Sequence, residues 1–196
     1  MPRLKTYLLV IALLFSCGFS TYAQSPTPSG EAIEVTGSRK AVRTSTDVLA
    51  VALPAAAIAG TLICKDWTGL KQGAFTAVTT VGLTLILKYS IKKERPDHSD
   101  NHSFPSMHTA VSFAGAAYLQ RRYGWKFGIP AYAVAAYVGW GRTYGKKHDW
   151  TDVIAGAAIG AASAYIYTRP FMRKHCCYIL PVSDGSRHAI AASFSF

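Results

Sequence analysis

Apolar stretches rich in Ala, Leu, Val and Gly alternate with short polar stretches along most of the chain. The apolar stretches carry no Asp, Glu, Lys or Arg, and charged or turn-forming residues end each of them. They also lack the strict apolar–polar alternation of a half-buried strand, so the pattern predicts helices. The predicted helices cover residues 48–64, 73–87, 107–119, 127–140 and 153–168.

A further apolar stretch, residues 7–19, follows two basic residues near the N-terminus. It is followed by small residues that end at Ala23, so residues 1–23 are predicted to be a signal peptide or a first membrane helix. Cleavage after Ala23, lipid attachment at Cys17 and retention of the helix are all compatible with this pattern. Each of them places the polar segment that follows, residues 24–45, outside the cytoplasm.

The length of the predicted helices does not decide whether they cross a membrane. None reaches the ~18–20 apolar residues of a typical span, and stretches of ~10–14 are common in soluble bundles. However, tryptophans lie at segment ends, as in interfacial aromatic belts, and small residues recur over 155–162. Most segments also lack a polar face. We therefore predict an all-α bundle of five to six mostly membrane-embedded helices, with the core in residues 46–175.

The C-terminal tail, residues 176–196, has a different pattern. Residues 178–182 and 188–196 flank Asp184-Gly185, a dipeptide typical of hairpin turns. The tail is therefore predicted to be short and β-hairpin-like.

The charge of the chain is low in amount and positive in sign. Charged residues make up 16% of the sequence, and 21 Lys and Arg against 10 Asp and Glu give a net charge of +11. Such an excess points to phosphate, whether in nucleic acid, anionic lipid or a phosphorylated substrate. The basic residues are scattered among apolar helices without a basic groove, so nucleic acid is not an expected partner. The four cysteines offer neither a disulfide framework nor a Cys-x-x-Cys zinc motif.

Three polar stretches, residues 88–96, 103–109 and 141–152, interrupt the apolar pattern. If the helices alternate across a membrane, all three stretches lie on the same side. They therefore form the candidate functional region of the chain.

The residues in these stretches suit a phosphate site. Lys88, Arg95 and Arg142 are enough to neutralise a phosphate dianion and the charge of its transition state. A helix is expected to start at Pro105, and proline is compatible with that position because it is tolerated in the first turn of a helix. The unpaired N–H groups of that turn, with the Ser106 hydroxyl, would bind phosphate oxygens.

Two histidines supply candidate catalytic groups. His148 and Asp152 are four residues apart, so a helical turn places them on one face. A carboxylate that accepts from Nδ1–H would hold the imidazole neutral, with Nε2 directed at the substrate. The second histidine, His108, can then protonate the leaving alcohol.

The three stretches together resemble the signature of the type 2 phosphatidic acid phosphatases, in the superfamily shared with class A acid phosphatases and vanadium haloperoxidases. That signature is Lys-x6-Arg-Pro, then Pro-Ser-Gly-His, then Ser-Arg-x5-His-x3-Asp. The resemblance covers residues 48–168, and the order and spacings agree in all three blocks: Lys88-x6-Arg95-Pro96, Pro105-Ser106-Met107-His108 and Gly141-Arg142-x5-His148-x3-Asp152.

The resemblance implies a role for each matching residue. His148 would be the nucleophile that forms a phosphohistidine, Asp152 its orienting partner and His108 the general acid. Water would hydrolyse the intermediate, and neither a metal nor another cofactor would be needed. The phosphoryl oxygens would be bound by Lys88, Arg95, Ser106, the backbone N–H of Met107, and Arg142.

Two positions depart from the signature. Met107 replaces a glycine whose backbone N–H matters in the family, and methionine keeps that N–H if its φ is negative. Gly141 replaces a serine, which removes one possible phosphate contact. All three cations and both histidines are present, so we expect activity.

The predicted function is a metal-independent phosphatase for a phosphate monoester or diphosphate of a membrane lipid. Phosphatidic acid, phosphatidylglycerol phosphate, polyprenyl diphosphate and a phosphorylated glycolipid are the candidate substrates. The expected location is the bacterial inner membrane, with the active site facing the periplasm or the outside. Lys and Arg are divided evenly between the two sides, so they favour this orientation only if the three phosphate-site cations are set aside.

Four alternatives stay open. The chain could be a soluble, broad-specificity periplasmic acid phosphatase, a vanadate-dependent haloperoxidase or a non-catalytic lipid-binding membrane protein. The fourth alternative is a metal site within residues 97–108. The turn-forming residues of this stretch argue against the helix that would place ligands four residues apart on one face. The metal ligands would come from Asp97, His98, Asp100, His102 and His108.

Overall fold

The computed structural model describes residues 35–171, 177–183 and 188–194. The predicted signal peptide or first helix, the lipidation candidate Cys17 and residues 24–34 therefore lie outside the described residues. Within them the chain forms five helices, at the places where five were predicted. They are α1 (Ser38–Ile63), α2 (Trp67–Ser90), α3 (Met107–Tyr123), α4 (Trp125–Tyr144) and α5 (Trp150–Tyr167).

The start of α1 differs from the expectation. The helix begins at Ser38, inside the stretch 24–45 that was assigned to a polar external segment. Its polar residues are used in contacts with the loops at one end of the bundle. Arg43 donates from Nε to the Gly145 carbonyl oxygen and from Nη2 to the Asp97 carboxylate, both at 2.7 Å. Contacts of this kind cannot be read from the composition of the segment.

Local sequence explains where several helices begin and end. Asp66 caps α2 by accepting a hydrogen bond from the Gly69 N–H at 2.8 Å. Asp149 and Asp152 form a capping box at the start of α5. Between α3 and α4 stands Gly124, whose φ of 92° is in the region that favours glycine. The chain can therefore reverse direction within one residue there.

The alanine-rich helix α3 lies at the centre of the bundle and packs against the other four helices. Its small side chains let α5 approach very closely. A Cβ atom added to Gly156 would lie 2.5 Å from the Ser106 carbonyl oxygen, and one on Gly160 would lie 2.1 Å from that of Ala110. This contact holds the first turns of α3 and α5 side by side.

The side chains of α2 are distributed in the reverse of the way expected for a water-soluble bundle. Thr76, Thr80 and Thr84 lie four residues apart on the buried face and are at most 3% exposed. On the outer face, Phe75 is 58% and Ile86 is 62% exposed. Small and hydroxyl-bearing residues inside and large apolar residues outside are typical of helices packed in lipid.

Two helices, α1 and α2, are long and apolar enough to cross a membrane by length and composition, judged over the described residues. A buried helix of a soluble protein passes the same test, so the outward-facing apolar side chains are the stronger argument. The predicted all-α architecture is confirmed.

The tail forms two antiparallel strands, β1 (Cys177–Ser183) and β2 (His188–Phe194). In the register Cys177 is opposite Phe194 and Ser183 is opposite His188. The predicted Asp184-Gly185 turn lies outside the described residues.

The close α3–α5 contact predicts that Gly160→Ala destabilises the protein. The new methyl group would overlap the Ala110 carbonyl oxygen, and overpacking of this kind costs about 1–3 kcal/mol. We expect a lower midpoint of thermal unfolding for the purified protein in detergent. Gly82→Ala in α2 is the matched control, because no atom lies within 4 Å of its added Cβ. Equal midpoints for the two variants would contradict the contact.

Candidate active site

The bundle brings the eight predicted site residues to one end. Because successive helices run in opposite directions, the C-terminal ends of α2 and α4 meet the N-terminal ends of α3 and α5 there. Lys88 and Arg142 come from the first pair of ends. The remaining predicted residues are Ser106, Met107, His108 and Asp152 at the starts of α3 and α5, and Arg95 and His148 in the loops before those helices.

The three cations are all buried, with at most 6% of each residue exposed. Lys88 donates from Nζ to the His102 carbonyl oxygen at 2.8 Å, and Arg95 donates from Nε to Asp100 at 2.8 Å. Arg142 donates from Nη1 to Asp47. Its Nε–H is buried and has no acceptor among the described residues, and an oxyanion is the kind of group that would satisfy it.

His148 and Asp152 are brought together as predicted. The His148 Nδ1 atom lies 3.5 Å from Asp152 Oδ2, and both side chains are almost completely buried. The carboxylate also accepts from Lys93 Nζ at 2.7 Å, from Ser103 Oγ, and from the Asp149 N–H at 3.2 Å. With these donors around it, Asp152 is held in one orientation as an ionised group.

The electrostatic surroundings keep His148 neutral. Burial lowers the pKa of its imidazole to about 3, and the charges of Arg142 and Arg95 act in the same direction. The interaction with Asp152 opposes that shift without overcoming it. At neutral pH the ring therefore carries a nitrogen lone pair, which a nucleophile requires.

The start of α3 carries three of the predicted site residues, Ser106, Met107 and His108. Ser106 is the N-cap, and its N–H donates to the Asp152 carbonyl oxygen at 3.0 Å, which ties α3 to α5. Pro105 precedes the cap, so it lies outside the first helical turn in which it was expected. Met107 is helical and therefore has a negative φ, and it is buried, with 5% of the residue exposed.

Gly141 has a packing reason in this chain. A Cβ there would lie 2.4 Å from Thr46 Cγ2 and 3.0 Å from Val42 Cγ1, so a serine would collide with α1. The glycine therefore permits the polar start of α1 to approach α4 beside Arg142.

Several residues of the site were not assigned a role from the sequence. Lys93 and Ser103 lie inside the polar stretches but reveal their partner, Asp152, only in the fold. On α1, Arg43, Thr46 and Asp47 recur at helical spacing and face the site. That spacing is a signal that could have identified them as one helix face.

An ion-pair cluster, composed of Asp97, Arg43 and Lys147, joins three segments of the site. Asp97 is 2% exposed and lies 2.7 Å from Arg43 Nη2 and 2.8 Å from Lys147 Nζ. Burial alone would raise the pKa of Asp97, but hydrogen bonds from Lys147 and Ser99 and the charge of Lys147 lower it to about 2. The cluster connects α1, the loop after Arg95 and the loop that carries His148.

The candidate metal ligands are used in other contacts. Asp97 belongs to the ion-pair cluster, Asp100 binds Arg95, and His98 binds Glu94 at 2.6 Å. In the part of the chain that the structure describes, no three His, Cys, Asp or Glu side chains are grouped so that they could hold a metal ion.

Comparison with known proteins agrees with the geometry. The family model of the PAP2 superfamily matches residues 69–176, more than half of the chain and all eight predicted site residues. Among solved structures, a transmembrane PAP2-type phosphatidylglycerolphosphate phosphatase from Bacillus subtilis matches with a TM-score of 0.52 at 21% identity. The match covers 84% of this chain and 91% of the other. At that identity the similarity shows a shared fold.

Two curated relatives are lipid phosphatases by name. The lipid A 1-phosphatase of Porphyromonas gingivalis is 38% identical over 100 residues, which are 49% of this chain and 22% of that protein. The lipid A 4'-phosphatase of Helicobacter pylori is 25% identical over 150 residues, which are 69% of this chain and 76% of that protein. The chain therefore spans about a fifth of the length of the first relative and about three quarters of the second.

The ion-pair cluster predicts a stability loss for Asp97→Asn. The amide keeps the shape but removes the charge that binds Arg43 and Lys147, and hydrogen bonds to charged groups contribute about 1.5–3 kcal/mol each. We expect a lower free energy of unfolding in detergent. Glu94→Gln is the matched control, because Glu94 is paired with His98 at an exposed position. Equal losses in the two variants would show that the cluster does not stabilise the site.

The low pKa of His148 predicts a pH dependence of stability. Above pH ~6.5 both folded and unfolded states hold a neutral imidazole. As the pH falls from ~6.5 towards 3, the unfolded state binds a proton that the folded state does not, so stability falls by up to ~1.4 kcal/mol per pH unit. His148→Gln should show a shallower decline between pH 6 and 4. An unchanged slope would mean that His148 is protonated in the folded protein.

Proposed function

The chain belongs to the PAP2 superfamily, and on that premise we propose that it is a metal-independent lipid phosphatase that works through a phosphohistidine. The observation that carries this proposal is the placement of a neutral, buried His148 among three buried cations, with Asp152 behind it. Positive charge around a neutral imidazole is suited to an anionic electrophile.

Binding of the phosphoryl group is proposed to use the three cations and the start of α3. Arg142 and Arg95 would neutralise the oxygens with charge-assisted hydrogen bonds, and Lys88 would add a third positive charge. The Met107 N–H, in the first turn of α3, and the Ser106 hydroxyl would donate further hydrogen bonds. Because these groups are fixed before the substrate arrives, they also stabilise charge in the transition state.

Chemistry would then proceed in two displacements. The His148 lone pair forms the N–P bond while the bond from phosphorus to the leaving oxygen breaks, and Asp152 stabilises the imidazolium. His108 gives its proton to the leaving oxygen, which departs as an alcohol. Water then attacks phosphorus and gives a proton to His108 while the N–P bond breaks, so phosphate is released and both histidines return to their starting states.

The surface of the bundle supports a lipid substrate. Large apolar side chains face outward while threonines and small residues face inward, so the bundle suits a membrane better than water. A site at one end of such a bundle would lie near the headgroup region. The names of the two curated relatives favour a phosphorylated glycolipid among the candidate substrates. We propose a bacterial inner-membrane location, with the site facing the periplasm.

His148→Ala is predicted to reduce phosphate release to the background level. Removal of the nucleophile prevents N–P bond formation, so phosphate release from a dispersed short-chain phosphatidic acid should stop. The same variant should fail to trap an acid-labile, base-stable phosphoenzyme in rapid-quench samples that contain labelled substrate.

His98→Ala is the matched control, because that histidine is exposed and bonded to Glu94. It should retain wild-type turnover, and activity should persist in excess EDTA because no proposed step uses a metal. Undiminished turnover of His148→Ala would disprove the mechanism.

A further inference from the structure

Asp47, on the polar first turns of α1, contacts two groups of the proposed reaction at once. Its Oδ1 atom lies 3.1 Å from His108 Nε2 and also accepts a hydrogen bond from Arg142 Nη1. The carboxylate is half exposed, whereas His108 and Arg142 are 12% and 5% exposed. A single oxygen therefore links the proposed leaving-group acid to a proposed phosphate-binding guanidinium.

The contact depends on how α1 is docked. Arg43, one helical turn before Asp47, fixes the helix to the Gly145 carbonyl oxygen and to Asp97. Gly141 leaves the space that Thr46 and Val42 fill against α4. Asp47 lies outside the residues matched by the family model, 69–176, so the match assigns it no role.

We propose that Asp47 is a positioning residue for leaving-group departure, which holds His108 as a proton donor beside Arg142. The inference rests on the proposed phosphatase function. A carboxylate next to an imidazole favours its protonated form and restricts rotation of the ring. Burial and the charges of Arg142 and Arg95 lower the pKa of the His108 imidazole, and Asp47 supplies the negative charge that opposes this shift.

The step in which Asp47 acts is cleavage of the phosphorus–oxygen bond. The electron pair of that bond passes to the leaving oxygen as the N–P bond to His148 forms. The proton of the His108 imidazolium moves to the leaving oxygen, so an alcohol departs and a neutral imidazole remains beside Asp47. Without that proton an alkoxide would have to leave, which is unfavourable, whereas a nitrophenolate leaves readily unprotonated.

The difference between these two leaving groups shows whether Asp47 positions His108 or has only a structural role. Asp47 is half exposed, so we expect its loss to affect the protein mainly through chemistry. A general acid typically contributes about 10²–10⁴-fold to the rate. The loss should therefore be large for substrates that need the acid and small for those that do not.

The experiment compares kcat/KM for two monoesters in detergent, dioctanoyl phosphatidic acid and p-nitrophenyl phosphate. Asp47→Asn is expected to lower kcat/KM about 10- to 100-fold for the first and less than about 3-fold for the second. His108→Asn should show the same selectivity with a larger loss, and Asp47→Glu should recover part of it. Glu94→Gln is the matched control and should leave both values at the wild-type level.

The outcomes are distinguishable. Equal losses on the two substrates, or no loss on either with an unchanged midpoint of thermal unfolding, would overturn the role of Asp47 while the phosphatase function stands. A folded wild-type protein that hydrolyses neither substrate would overturn the proposed function and the role of Asp47 with it.

Discussion

Buried positive charge is the constraint on which the rest of this structure depends. Lys88, Arg95 and Arg142 are each at most 6% exposed, at one end of a bundle with an apolar outer surface. Isolated cations in such a place would be costly, so oxygen acceptors must surround them. Of the acidic residues that the structure describes, six lie at this end of the bundle: Asp47, Glu94, Asp97, Asp100, Asp149 and Asp152.

These carboxylates neutralise the site only in part. Asp100 pairs with Arg95, and Asp152 is shared by Lys93, Ser103 and His148. Lys88 donates to a backbone carbonyl oxygen, and the Nε–H of Arg142 has no acceptor among the described residues. The remaining positive charge favours binding of an anion, while the carboxylates reduce the cost of burying the cations. Burial is the main cause of the low pKa of His148, and the positive charges around it lower that pKa further.

The opposite end of the bundle uses a different solution for its buried charge. Asp66 receives two hydrogen bonds from Arg122, at 2.6 Å each, and a third from the Tyr123 hydroxyl. Arg122 also donates to the carbonyl oxygen of Arg169. Both charges are thus matched, and this cluster fixes the loop before α2 and the chain after α5 against α3. Because its charges are fully paired, this cluster has a structural role. At the other end the positive charges are only partly paired, so an anion can bind there.

The sequence predicted the helices and the motif residues because both depend on short-range spacing. Uncharged stretches mark the helices, and His148 and Asp152 are only four residues apart, so the two meet even though His148 lies just before α5. Contacts between distant segments could not be predicted from such spacings. Asp97 looked like a metal-ligand candidate, but its partners come from α1 and from the loop before α5. The start of α1 looked like an external polar segment because its polar residues match polar loops that only the fold brings near.

Gly141, where the signature has a serine, is connected with the packing of α1. A serine there would project into the position of Thr46, so the signature residue and the close approach of α1 exclude each other. Relative to the signature, the chain lacks a neutral hydroxyl near the proposed phosphate site and has instead a helix face that carries Arg43 and Asp47. A carboxylate bound to Arg142 and His108 changes the charge balance of the site more than a lost hydroxyl does. The departure from the signature is therefore part of how α1 is built into the active site.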